Sequence, residues 1–165
     1  DYRGYGKSSG SVSETGLYLD AEAAYDFLIR EKNFDPGDVI VYGRSIGTGV
    51  AVNLAASHPA KGLVLESPYT SLGALANSKL PFFFPSLILR FSFNNSAKIR
   101  KVTCPLIIIH GENDTLIPAS FGAELYKRFD GKKKLILVKG GSHNDLSAFE
   151  DYHYFLMETL PSFFD

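Results

Sequence analysis

The chain has 165 residues, 45% of them hydrophobic and 13% aromatic, with a formal net charge of −1. That length fits one domain with a sizeable core. The near-neutral charge argues against a nucleic-acid binder, which carries a basic face. The single cysteine, Cys104, excludes an internal disulfide, and no apolar run reaches the roughly 18 to 20 residues of a membrane-spanning helix.

In chain order, Asp1-Tyr2-Arg3-Gly4-Tyr5-Gly6 reads as a turn with no strand before it, and the only methionine is Met157. We therefore expect this to be a piece of a longer protein, with any signal or anchor lying outside it. Gly6-Lys7-Ser8 ends like a phosphate-binding loop, but the glycine required at position 1 is Asp1. An apolar stripe at helical spacing (Leu19, Ala23, Ala24, Phe27, Leu28) predicts a helix over 19–30. A strand over 39–42 then ends abruptly on Gly43-Arg44-Ser45-Ile46-Gly47. A serine flanked this way can sit on a sharp strand-to-helix turn with its hydroxyl lifted clear. Gly43 and Gly47 are expected there because a side chain at either place would crowd the turn or the following helix. That helix is predicted over 48–57 from its small apolar residues. Gly47-Thr48-Gly49 begins like a dinucleotide fingerprint, but its third glycine position is Val52.

Further apolar runs at 63–65, 106–109 and 135–138 complete a set of four expected strands. None alternates with polar residues, which suits a parallel sheet buried on both faces. Cys104, just before Pro105 and the third run, reads as a buried structural thiol. Lys132-Lys133-Lys134 reads as a solvated turn before the fourth run. Helices are predicted over 119–129 and 147–160. Strand alternating with helix signals a doubly wound α/β fold. The segment 67–103 breaks the rhythm with Pro68, Pro81 and Pro85 and the cluster Phe82-Phe83-Phe84. It is too long for a simple connection and too apolar for a linker. Phe82, Phe83, Phe84 and Leu87 are candidates for a lid or an acyl-chain groove; the alternative is helices packed on the sheet edge.

A serine hydroxyl needs a base to become a nucleophile. His58 precedes Pro59 at a helix end and reads as a surface cap. His110 ends an apolar strand and reads as a packed residue, and His153 lies on the last helix. His143 stands in Gly140-Gly141-Ser142-His143-Asn144, directly after the last strand. A glycine-rich loop there lets an imidazole project over the sheet's carboxyl edge, where sites of open α/β sheets lie. The orienting acid is expected just beyond another strand end, and by residue chemistry both Glu112 and Asp114 qualify. No His/Cys/Asp grouping has metal-ligand spacing.

These residues together resemble the α/β-hydrolase superfamily, and most of all the branch of protein depalmitoylases and serine aminopeptidase-domain hydrolases. The resemblance is carried by Asp1 to Ser8, Tyr42 to Gly47, Cys104-Pro105-Leu106 through His110-Gly111-Glu112-Asn113-Asp114, and Gly140 to Asn144. It implies a three-layer, mostly parallel fold lacking its first strands, as a single partial domain over 1–165 with a lid-like insertion at about 67–103. It selects Asp114 as the acid, giving the triad order Ser45, Asp114, His143. It also makes the Ile46 N–H one half of an oxyanion hole, with the other half on a loop outside the chain. The activity implied is cleavage of a carboxylic ester or thioester through an acyl-enzyme, with no cofactor. The substrate would be a small acyl compound or a lipidated protein, with no nucleic acid. The implied location is cytoplasmic or membrane-associated, any membrane contact coming from a segment outside the chain. A serine peptidase uses the same triad, and an interaction domain on the same scaffold is a third reading. The strand over 39–42 would be flanked by an absent neighbour, so we expect this stretch alone to be aggregation-prone and poorly active.

Overall fold

The computed structural model describes residues 1–79 and 91–165. Phe82, Phe83, Phe84 and Leu87, the lid or groove candidates, lie outside the described residues. Among those described, four parallel strands form one sheet in the order β1 (Ile40–Arg44), β2 (Gly62–Glu66), β3 (Leu106–Gly111) and β4 (Lys133–Val138). Parallel neighbours need crossover connections, and here helices supply them. Helix α1 (Glu14–Asp26) precedes β1, α2 (Gly47–Ser57) joins β1 to β2, and α3 (Leu72–Lys79) and α4 (Asn95–Lys98) stand between β2 and β3. Helix α5 (Ala119–Arg128) joins β3 to β4, and α6 (Glu150–Tyr154) and α7 (Leu160–Phe164) follow β4.

Two apolar layers sandwich the sheet. On one face Tyr25 of α1, Val52 and Leu54 of α2 and Leu125 of α5 pack on Val41, Leu63, Leu65, Leu106 and Ile108, with Cys104 buried among them. On the other, Phe155 and Phe164 pack on Val64, Ile107, Ile109 and Val138. Gly62 makes this second contact close: a Cβ there would lie 2.0 Å from the Phe164 ring. The result is the expected three-layer α/β fold.

The strands differ from expectation in one respect. Only β2 and β3 are buried at every position. Along β1 exposure alternates, with Ile40 and Tyr42 turned out to 38% and 45% exposure. β1 ends the sheet, pairing only with β2 among the described residues, and the layer of Phe155 and Phe164 stops over β2 to β4. A continuous apolar run is buried on both faces only where both faces are covered.

The helix ends also shift. Helix α1 begins at Glu14 rather than 19, because Ser13 caps it by accepting from the Gly16 N–H at 3.1 Å. Strand β4 starts at Lys133, so two of the three lysines lie in the strand and not in a turn. The helix expected over 147–160 is a chain of short pieces: a 3₁₀ turn Leu146–Ala148, then α6, a wide π turn Phe155–Thr159, then α7. Pro161 lacks the N–H that would continue the ladder and crowds the carbonyl four residues back, which accounts for the widened turn before it.

Candidate active site

The site lies at the carboxyl tips of β1, β3 and β4. At the tip of β1 the chain turns so sharply that Ser45 takes φ +51°, a left-handed conformation that costs a non-glycine residue about 1–3 kcal/mol. The surroundings hold it there. The Ser45 N–H donates to the Glu66 carbonyl at 2.9 Å, and its own carbonyl accepts from Thr48 Oγ1 at 2.6 Å and Thr48 N at 3.0 Å. Tyr69 Oη donates to the Ile46 carbonyl at 3.2 Å. Gly43 is required by packing: a Cβ there would stand 2.6 Å from the Ala51 Cβ and 2.8 Å from the Gly47 carbonyl oxygen. Gly47 departs from expectation, because a Cβ added to it would meet nothing among the described residues within 4 Å. It borders a cavity of about 250 Å³ lined by Tyr2, Tyr5, Leu17, Ile46 and Val50, so the space at the start of α2 is open and apolar.

The acid comes from the turn after β3. Of the two candidates, Glu112 is exposed and Asp114 is 5% exposed. Asp114 Oδ1 accepts the N–H groups of Leu116 at 2.9 Å and Ile117 at 2.8 Å. Its Oδ2 accepts from His143 Nδ1 at 2.7 Å. His110, fully buried, places Nε2 3.4 Å from the same oxygen while donating to the Ile117 carbonyl at 2.8 Å. Burial pushes the Asp114 carboxyl up, but the Ile117 N–H, the His143 hydrogen bond and the two neighbouring histidines together hold it below its ordinary value. Burial holds His110 below its ordinary value, outweighing the Ile117 carbonyl and Asp114, so its ring is neutral at pH 7. Its Nδ1 has no hydrogen-bond partner among the described residues and faces Gly122, where a Cβ would come within 2.7 Å.

The base comes from the loop after β4. The Gly141 carbonyl accepts from Asn113 N at 2.8 Å, joining this loop to the acid's turn. Gly111 makes the approach possible, since a Cβ there would lie 2.4 Å from the Gly141 oxygen. Ser142 N donates to Asp145 Oδ1 at 2.7 Å, closing the loop on itself. The His143 ring is thereby aimed at β1, with Nε2 2.9 Å from Ser45 Oγ. With its Nδ1 proton committed to Asp114, the ring offers the Nε2 lone pair to the serine hydroxyl.

The structure thus brings Ser45, His143 and Asp114 into one hydrogen-bonded line. Ile46 is the N-cap residue of α2, so its own N–H lies ahead of the helical ladder. The other histidines stay apart: His58 caps the end of α2 with its ring against Tyr25, and His153 is exposed on α6. Sequence reasoning did not single out Glu66 or assign Arg44 a role. Glu66 is an acid closing a wholly apolar strand, and that signal could have marked it.

Residues 1–94 match the family described as serine aminopeptidase, S33. The human alpha/beta hydrolase domain-containing protein 17B is 39% identical over 165 residues, covering 99% of this chain and 54% of its own length. An uncharacterised Mycobacterium tuberculosis protein is 36% identical over 145 residues, covering 88% of this chain and 52% of its own. The chain therefore spans about half the length of the curated relatives it matches. Among solved structures, a Pyrococcus furiosus esterase superposes with a TM-score of 0.78 at 24% identity, over 100% of this chain and 69% of that one. A Paleococcus ferrophilus monoacylglycerol lipase gives 0.70 at 19% identity, over 99% and 82%. Both establish the fold alone. With more than half of its residues matched by the family and a Ser–His–Asp line at the strand tips, the chain belongs to the serine aminopeptidase S33 family of α/β-hydrolases.

Proposed function

We propose that the chain carries the catalytic centre of a serine hydrolase that cleaves carboxylic esters or thioesters through an acyl-enzyme. The observation that carries this reading is the continuous line from Ser45 Oγ through His143 to Asp114, at 2.9 and 2.7 Å. Ser45 Oγ attacks the carbonyl carbon while His143 Nε2 takes its proton. The tetrahedral oxyanion collapses and expels the alcohol or thiol, which leaves with that proton. Water then repeats the sequence on the acyl-serine. Asp114 keeps the imidazole in the right tautomer, and the Ile46 N–H is one donor to the oxyanion. The apolar cavity beside Gly47 supports an apolar acyl group, either of a small compound or of a lipidated protein.

We extend the same reading to the described parts of 67–103, residues 67–79 and 91–103, as an insertion beside the site. In its support, Tyr69 and Phe93 pack with Val50 beside the serine turn and Ile117 beside the acid. A peptidase reading has one observation in its favour, the family's own description as a serine aminopeptidase.

A fluorophosphonate probe on the full-length protein tests the chemistry. Labelling that vanishes in Ser45→Ala supports it, and labelling that survives the substitution refutes it. Rates on p-nitrophenyl esters of increasing chain length, set against aminoacyl amides, separate the two readings: faster turnover of the amides would favour the peptidase.

A further inference from the structure

The guanidinium of Arg44 joins two parts of the molecule that the triad needs in register. Arg44 ends β1 directly before Ser45, and its Nε lies 2.9 Å from Oε1 of Glu66, its register partner at the end of β2. Its Nη2 donates to the carbonyl of His143 and to Asn144 Oδ1, each at 3.0 Å. Glu66 is fixed in turn. Its side chain is 6% exposed, and Oε2 accepts from the hydroxyls of Tyr42 and Tyr152. Both carboxylate oxygens therefore have partners, and the anchored guanidinium reaches from the sheet to the loop that bears the imidazole.

We propose that Arg44 is a positioning residue: anchored on Glu66, it holds the main chain at His143 so that Nε2 stays within reach of Ser45 Oγ. The inference rests on the Ser45 hydrolase reading above. The loop needs such a hold. It contains Gly140 at φ +78° and Gly141, and it is tied to the acid's turn through the carbonyls of both glycines, before His143 is reached. Arg44 takes hold at His143 itself and at the next residue. The work suits arginine and not lysine, because separate nitrogens must point at a carboxylate and at two loop oxygens at once, which one ammonium group cannot do in a fixed geometry. The Arg44 side chain is 46% exposed, so the ion pair contributes little to stability.

The test uses Arg44→Lys, Arg44→Met, Arg44→Gly and the double variant Arg44→Met/Glu66→Gln, each assayed by ester turnover, fluorophosphonate labelling and melting temperature. We expect kcat and labelling to fall by about 10- to 100-fold in Arg44→Lys and Arg44→Met, as a misplacement of about 1 Å would cause, with KM unchanged. Melting temperatures stay near the wild-type value. The double variant stays slow although no carboxylate is left unpaired, and added guanidinium chloride at low concentration partly restores Arg44→Gly. A wild-type rate in Arg44→Lys overturns the proposal. So does recovery of kcat in the double variant, which would trace the loss to the orphaned Glu66 charge. Absence of labelling in the wild-type full-length protein overturns the hydrolase reading together with this one; labelling there with an unaltered Arg44→Met overturns the positioning role alone. If Arg44→Met does not fold, Arg44→Lys and the guanidinium rescue decide.

Discussion

Strands β1 and β3 are written in similar letters and do different work. Every residue of β3 is buried, and Leu106, Ile107, Ile108 and Ile109 are each 0% exposed. Strand β1 turns every second residue outward and has a strand beside it on one side only among the described residues. Yet β1, the weaker strand by burial, ends in the serine turn and bears Arg44. The core strands keep the molecule folded, while the strained serine turn stands at the tip of β1; left-handed backbone also follows the fully buried β2, where Ser67 takes φ +48°. Backbone strain of a few kcal/mol is tolerated at the serine turn because Glu66, Thr48 and Tyr69 hold it from neighbouring elements.

The sharpest way to break this division is Ser45→Ala. Turnover should fall by at least about 10⁴-fold while the melting temperature hardly moves, since the hydroxyl makes one partly exposed contact. A large loss of stability would show that the tip supports the core after all. Next comes Ile108→Ala, expected to cost about 2–5 kcal/mol of unfolding free energy as a buried deletion, whereas Ile40→Ala on the exposed side of β1 should cost under about 1 kcal/mol. Denaturant unfolding of the pair measures the contrast directly, and equal losses would erase it. The two glycines of the turn give a finer comparison. Gly43→Ala forces a Cβ against Ala51 and should cost about 1–3 kcal/mol, while Gly47→Ala meets open space at the start of α2 and should be neutral or slightly stabilising.

The smallest effect is in pH. Asp114 is held below its unfolded value of 3.8, so its contribution to stability is present above that pH and lost as pH falls through the lower folded value. The difference in melting temperature between wild type and Asp114→Asn should therefore hold steady at neutral pH and narrow as pH falls through 3.8 and on through the lower folded value. A constant difference would mean that the carboxylate's hydrogen bonds do not favour its charged form.

Much of this was legible in the residues. The four strands stood out as apolar runs, and Ser45 and His143 each sit beside glycines at a strand end. What was not legible depends on neighbours in space. Nothing in the run 39–42 distinguishes an edge strand from a central one. Glu112 and Asp114 are alike in chemistry, and only the turn that brings Leu116 and Ile117 N–H groups onto Asp114 separates them, so the resemblance had to choose. The Arg44–Glu66 pair needs the β1–β2 register before either residue means anything. Gly47 was misread because crowding was inferred from the motif, and no described residue crowds the side it faces. The break in the last helix had a plain signal in Pro161 that the apolar periodicity overrode.

The sheet order carries a consequence for how the site comes into being. Ser45 and His143 are 98 residues apart, and strands β1 to β4 lie in sequence order, each pair closed only after a crossover has formed. Parallel pairing of this kind is built from non-local contacts and forms slowly. The three side chains meet only when the first and last strands both flank the finished centre. On the proposed hydrolase reading, reactivity toward a serine probe would be a clock for the final step of assembly: a chain with its core strands collapsed and its helices formed would still be chemically silent until the β4 loop docks.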